Sequence, residues 1–164
     1  MHHLAKISEM CVSKNPEDTL GAFGLGSCLA IILYDPQLRA GGILHSLLPR
    51  LSNVRKESLP RQEQPLMFVD QGLPLLFKQV KALGAEPKHI EVYVVGGATF
   101  TNDENDLFAI GLRNFVTACE TLRRLKLPLT AKEVGGRISR TVRLHVATGR
   151  IVVQSGGKEH ELCK

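Results

Sequence analysis

A cysteine and a histidine stand where chemistry can happen. Cys28 directly follows the turn-like Gly24-Leu25-Gly26-Ser27, and His45 lies within Gly41-Gly42-Ile43-Leu44-His45-Ser46. A thiol becomes a competent nucleophile when an adjacent imidazole takes its proton. Glycines let the main chain approach a substrate carbonyl closely, so amides around Ser27 and Cys28 can converge on the negative charge that develops during acyl transfer. The same residues also read as a small buried hydrophobe and a hydrogen-bonded core histidine, the commoner roles of both types.

The elements on either side decide whether the two side chains meet. Cys28 to Tyr34 is a short, continuous apolar run that reads as a buried strand, stopped by Asp35-Pro36. Gly41 to Pro49 is a second strand-like run that folds back antiparallel on the first. With the turn centred near residues 37 and 38, Cys28 faces about Leu47, and His45 is its diagonal neighbour on one strand face. A slip of one residue would separate them.

Around this hairpin, residues 4 to 13 are β-tolerant and end in the turn Asn15-Pro16-Glu17-Asp18. Met67 to Leu83 has helical spacing with Gly84 as its cap, and Pro74 either kinks that helix or marks its start. Ile90 to Val95 is a core strand broken at Gly96-Gly97, and a loop runs through Asn102-Asp103-Glu104-Asn105. Leu107 to Leu127 forms the second helix, closed by Pro128. Leu129 to Val134, Thr141 to Val146 and Ile151 to Gln154 are short strands, while residues 50 to 65 form a polar connection long enough to act as a flap. The expectation is one α+β domain over residues 1–164, with two helices on a mixed or antiparallel sheet system.

Composition narrows the classes of function. With 43% apolar and 23% charged residues in 164, the chain is globular. The longest apolar run, Leu29 to Leu33, is too short to span a membrane, and the N-terminus lacks the apolar stretch of a secretory signal, so a cytoplasmic protein is expected. Cys11, Cys28, Cys119 and Cys163 are scattered and read as free thiols. The charge of +5 names no partner, and nucleic acid is not expected, because there is no tryptophan and no reader motif. Arg137, Arg140, Arg143 and Arg150 alternate with Ile138, Val142, Leu144 and Val146, as on the solvated face of a strand. The six histidines lack paired ligand spacing, and Leu29 stands where a dinucleotide fingerprint needs its third glycine, so neither a metal nor a cofactor is expected. No heptad pattern argues for assembly, and a monomer is expected.

Gly24-Leu25-Gly26-Ser27-Cys28, Tyr34-Asp35-Pro36, Gly41-Gly42 and His45-Ser46-Leu47-Leu48-Pro49 follow one another in an order that resembles the CheD family of chemoreceptor glutamine deamidases. Gly96-Gly97-Ala98, Ile110-Gly111-Leu112-Arg113-Asn114, and Gly135-Gly136 followed by Arg140 continue the series over nearly the whole chain. The resemblance implies a three-layer α/β/β sandwich similar to the catalytic domain of the cytotoxic necrotizing factor toxins. It further implies a cofactor-free protein-glutamine glutaminase, an amidohydrolase with Cys28 as nucleophile, His45 as base and the Gly26, Ser27 and Cys28 amides around the oxyanion. The implied substrate is the cytoplasmic helical bundle of a chemoreceptor, and the implied second partner is a CheC-type phosphatase.

One position departs from the family. A threonine belongs six residues before the cysteine, where it appears in the family as the third member that orients the imidazole, but this chain has Ala22. Alanine has no side-chain acceptor. Either a local bulge brings in the Thr19 hydroxyl or a backbone carbonyl orients His45, and the carbonyl is the expectation. The departure makes a slow deamidase or a binding adaptor the alternatives to a fully active enzyme. Arg113-Asn114 either holds the fold around the site or forms a partner face, although an arginine there is commonly a solvated helix charge.

Overall fold

The computed structural model describes residues 1–50, 64–100 and 109–164. In chain order these form β1 (His2–Leu4), β2 (Glu9–Ser13), β3 (Thr19–Leu25), β4 (Leu29–Asp35), β5 (Ala40–Ser46), α1 (Val69–Ala82), β6 (Glu91–Gly96), α2 (Ile110–Arg124), β7 (Ala131–Val134), β8 (Arg140–His145), β9 (Ile151–Ser155) and β10 (Lys158–Glu161). One mixed sheet runs β2-β5-β4-β6-β7 and the other β1-β3-β8-β9-β10.

The apolar run of β4 explains how the layers stack. Every one of its residues is buried, because the strand is covered on both faces. Ala30, Ile32 and Tyr34 pack into the core between the two sheets, with Leu20, Val142, Leu144 and Val153. Leu29, Ile31 and Leu33 pack on the opposite side against Leu73, Leu76 and Val80 of α1 and Ala118 and Leu122 of α2. The order is helix layer, sheet, sheet.

The hairpin has the expected register, with Leu29 opposite Ser46, Ala30 opposite His45 and Asp35 opposite Ala40. Its turn is fixed by Asp35, whose Oδ1 accepts the amides of Gln37 at 2.9 Å and Leu38 at 3.1 Å, with Arg39 left-handed at φ 54. Pro74 lies inside α1, so the helix starts before it.

Other expectations are corrected. Residues 4 to 13 are not one strand: β1 pairs with β3 and β2 with β5, in different sheets. Of the turn-like Gly24-Leu25-Gly26-Ser27, Gly24 and Leu25 end β3, and only Gly26 and Ser27 turn the chain toward β4. Arg140 is not on a solvated face. It shares strand parity with Val142 and Leu144, lies buried, and gives Nε to Glu133 Oε1 at 3.1 Å and Nη1 to the Gly135 carbonyl at 2.8 Å. Most of the 50–65 connection, the Asn102-Asp103-Glu104-Asn105 loop and the Leu107 start of the second helix lie outside the described residues; α2 begins at Ile110.

Candidate active site

The hairpin register carries Cys28, the residue before β4, to a position opposite Leu47 and diagonal to His45. Diagonal neighbours on one face lie roughly 7 Å apart. Cys28 is 6% exposed and His45 2%. Both lie in the layer between the sheets, since Ala30, directly opposite His45, and Cys28 belong to that core.

The segment between β1 and β2 holds the imidazole. His45 Nδ1 lies 3.1 Å from the Ala5 carbonyl oxygen. A carbonyl only accepts, so Nδ1 carries the proton and Nε2 keeps its lone pair. Ala5 is itself fixed, because its N–H donates to the Gly21 carbonyl at 2.9 Å, and the Ser8 N–H donates to the His45 carbonyl at 2.8 Å. Nε2 is buried and has no hydrogen-bond partner among the described residues.

Burial sets the charge state of both groups. It pushes the His45 pKa below the ordinary imidazole value, opposed in part by the Ala5 carbonyl and by the charge of Glu9, its cross-strand neighbour. Burial also raises the Cys28 thiol, opposed by that residue's own backbone N–H. At neutral pH the thiol keeps its proton and the imidazole is uncharged.

The turn before Cys28 is tied down by its carbonyls. Gly26 O accepts the Ala98 amide at 2.9 Å, Ser27 O accepts Asn114 Nδ2 at 2.9 Å, and Cys28 O accepts the Gly97 amide at 2.8 Å. The Phe100 ring covers Gly26 so closely that a Cβ there would lie 3.2 Å from it.

Thr19 is not brought to this pair. Residues 19 to 22 alternate regularly against β8, so Thr19 faces away from the side of β3 on which Leu20 and Ala22 enter the inter-sheet core. Its hydroxyl lies 3.4 Å from His145 Nδ1. The bulge of β3 falls between Ala22 and Leu25, downstream of Thr19. Ala22 is fully buried against the core, and the carbonyl that meets the imidazole belongs to Ala5. Sequence reasoning had no means of choosing Ala5, since every residue has a carbonyl.

These placements define an expected result. Ala22→Thr adds two heavy atoms, one of them polar, to a packed interior, and the cost is about 1–3 kcal/mol. Thermal unfolding should show a lowered Tm, while the activity of the site changes less than about threefold because Ala5 already orients His45. An acceleration of tenfold or more would show that the imidazole lacks an orienting group.

The remaining thiols lie elsewhere. Cys11 is half-buried and pushed up to about 11 by burial and by Glu9 and Asp18, and burial also raises Cys119. Among the described residues no group of three or more His, Cys, Asp or Glu side chains is placed to hold a metal ion. No helix among them is long and apolar enough to cross a membrane.

Fold and site define an α+β protein with a buried thiol and a buried imidazole on neighbouring strand ends of a central hairpin. Residues 47–155 match the family described as CheD chemotactic sensory transduction. A probable chemoreceptor glutamine deamidase CheD 1 of Syntrophus aciditrophicus is 39% identical over 155 residues, 94% of each chain. That alignment omits only about ten residues of this chain, so it runs through both Cys28 and His45. A probable chemoreceptor glutamine deamidase CheD 2 of Anaeromyxobacter dehalogenans is 39% identical over 92% of each chain. A relative of the same description in Pyrococcus abyssi is 39% identical over 88% of this chain and 86% of its own. The chain belongs to the CheD family.

Proposed function

We propose that this protein deamidates glutamine side chains of chemoreceptors, with Cys28 as nucleophile and His45 as general base and acid. The observation that carries the reading is His45, whose Nδ1 is held by Ala5 O while its buried Nε2 stays unpartnered among the described residues, diagonal to Cys28. The names of the relatives supply the substrate class, a glutamine of a chemoreceptor.

Nε2 takes the thiol proton as Sγ attacks the carboxamide carbon, and the Gly26, Ser27 and Cys28 amides surround the oxygen that becomes negative. The imidazolium returns the proton to nitrogen, ammonia leaves, and a thioester remains. His45 then takes a proton from water, hydroxide attacks the thioester, and collapse releases glutamate and the thiol. The substrate in this reading is the cytoplasmic helical bundle of a receptor, and the protein acts on it in the cytoplasm, as a monomer and without a cofactor. A CheC-type phosphatase is a second partner, and the fold is of the type of the cytotoxic necrotizing factor catalytic domain.

The test is ammonia release together with a one-dalton mass gain on a purified receptor cytoplasmic fragment. Cys28→Ala is expected to lose both while still binding the fragment. Ala22 favours a second reading, an adaptor that binds receptors or a CheC-type phosphatase without turnover. Binding with no ammonia from the unmutated protein across several receptors would establish the adaptor and overturn the enzyme.

A further inference from the structure

Three buried side-chain polar atoms lack a hydrogen-bond partner among the described residues: His45 Nε2, Asp70 Oδ1 and Asn114 Oδ1. Folded proteins keep few such atoms, and each needs a reason. His45 has one in the proposed chemistry. Asn114 does not, although it is fully buried near the start of α2 and the same site depends on its contacts.

The Asn114 Nδ2 group donates to Ser27 O at 2.9 Å and to Leu47 O at 3.1 Å. Both acceptors are carbonyls, so the nitrogen must occupy that place and the orphaned oxygen cannot exchange with it. Ser27 immediately precedes Cys28, and Leu47 lies two residues beyond His45. One carboxamide therefore bridges the two strand ends that carry the thiol and the imidazole.

The bridge to Ser27 reaches further. Ser27 C=O and Cys28 N–H belong to one planar peptide unit, so fixing the oxygen fixes the direction of the N–H. A hydrogen bond accepted by the carbonyl also polarises that unit and strengthens its N–H as a donor. The Cys28 N–H is one Cα away from the side chain that carries Sγ, and a backbone donor there favours the thiolate. A donor so placed lies beside the carbon that Sγ attacks and the oxygen that then becomes charged.

We propose that Asn114 is a positioning residue of this site, aiming the Cys28 backbone N–H at the developing oxyanion and setting the spacing between the Cys28 and His45 strand ends. The proposal rests on the deamidase reading for its kinetic consequence, but not for its effect on the thiol. A purely structural asparagine would stabilise α2 against the sheet and do nothing selective at Cys28.

The experiment compares Asn114→Ala and Asn114→Ser with Ala118→Gly, a change in the buried face of the same helix that loosens it without touching the turn. Asn114→Ser, which keeps one small donor, is the variant read if Asn114→Ala does not fold. Three quantities are measured: Tm, kcat and KM on a receptor cytoplasmic fragment, and the titration midpoint of Cys28 by NMR of 13Cβ-labelled cysteine. Asn114→Ala is expected to lower kcat by roughly 10²-fold, as for removal of one oxyanion donor, with KM changed less than about twofold. The Cys28 midpoint should rise by about half a pH unit or more, and Asn114→Ser should fall between Asn114→Ala and the unmutated protein. Ala118→Gly should lower Tm alone. Equal kcat and an equal midpoint in Asn114→Ala and the unmutated protein would overturn the proposal, as would the same losses in Ala118→Gly. If the unmutated protein releases no ammonia, the deamidase reading falls, and the Cys28 midpoint alone still decides the role of Asn114.

Discussion

His45→Ala is expected to lower deamidation of a receptor fragment at pH 7 by roughly 10³-fold, within the range that general acid–base groups contribute. It is also expected to change the shape of the pH profile. In the unmutated protein burial holds His45 below the ordinary imidazole value and Cys28 above the ordinary thiol value. Between about pH 6.5 and 8.5 both groups are therefore neutral, and kcat/KM should be flat across that window. Below it, protonation of Nε2 removes the base. Above it, the thiol has lost the proton that His45 must hand to ammonia. Without His45 only the small thiolate fraction reacts, so residual activity should climb about tenfold per pH unit from pH 6 to 8. The slope is the diagnostic measurement, because a fold defect would lower activity without changing its dependence on pH. A flat profile in His45→Ala would remove His45 from the proton transfers.

The placement of Cys28 diagonal to His45 was legible because hairpin register is arithmetic. Two apolar runs and the Asp35-Pro36 stop fix the turn, and the turn fixes which residues face each other. What lay hidden was everything contributed by main chain or by an atypical residue. β3 was concealed by Gly21, Gly24 and the exposed Phe23, since glycine is depleted in strands, yet Gly21 lies within the strand with the Phe23 ring 3.1 Å from where a Cβ would stand. The alternation of arginines with apolar residues points Arg140 to solvent, where arginine is commonly found, but here carbonyls of Gly96 and Gly135 and the Glu133 carboxylate replace water around it. The orienting Ala5 carbonyl and the bridging Asn114 act across 40 and 87 residues of sequence, distances at which no local pattern connects them. The missing threonine side chain at position 22 was visible and a backbone carbonyl in its place was expected, whereas that the carbonyl belongs to Ala5 was not legible.

Gly96→Ala is expected to be the most damaging small substitution near the site, lowering unfolding free energy by about 3–5 kcal/mol, a large share of the roughly 5–15 kcal/mol that holds a domain together. Two effects combine there. Gly96 has φ +116, which L side chains rarely adopt, and a Cβ would lie 2.3 Å from the carbonyl oxygen of Cys28. That carbonyl accepts the Gly97 amide, while the Gly96 carbonyl accepts the Gly135 amide at 2.9 Å, so neither peptide can move without loosening the junction of β4, β6 and β7. Gly135→Ala separates the two effects, because Gly135 also has a positive φ, +81, but a Cβ there would meet nothing within 4 Å. It should cost only the backbone strain, about 1–2 kcal/mol. Urea unfolding of both variants, with unchanged m-values, gives the difference directly. A gap of 2 kcal/mol or more shows that the close approach at Cys28 carries the cost and that the nucleophile's own peptide is held by β6. Equal losses would show that the end of β6 yields to a methyl group and that Cys28 owes its position to Asn114 and the hairpin instead.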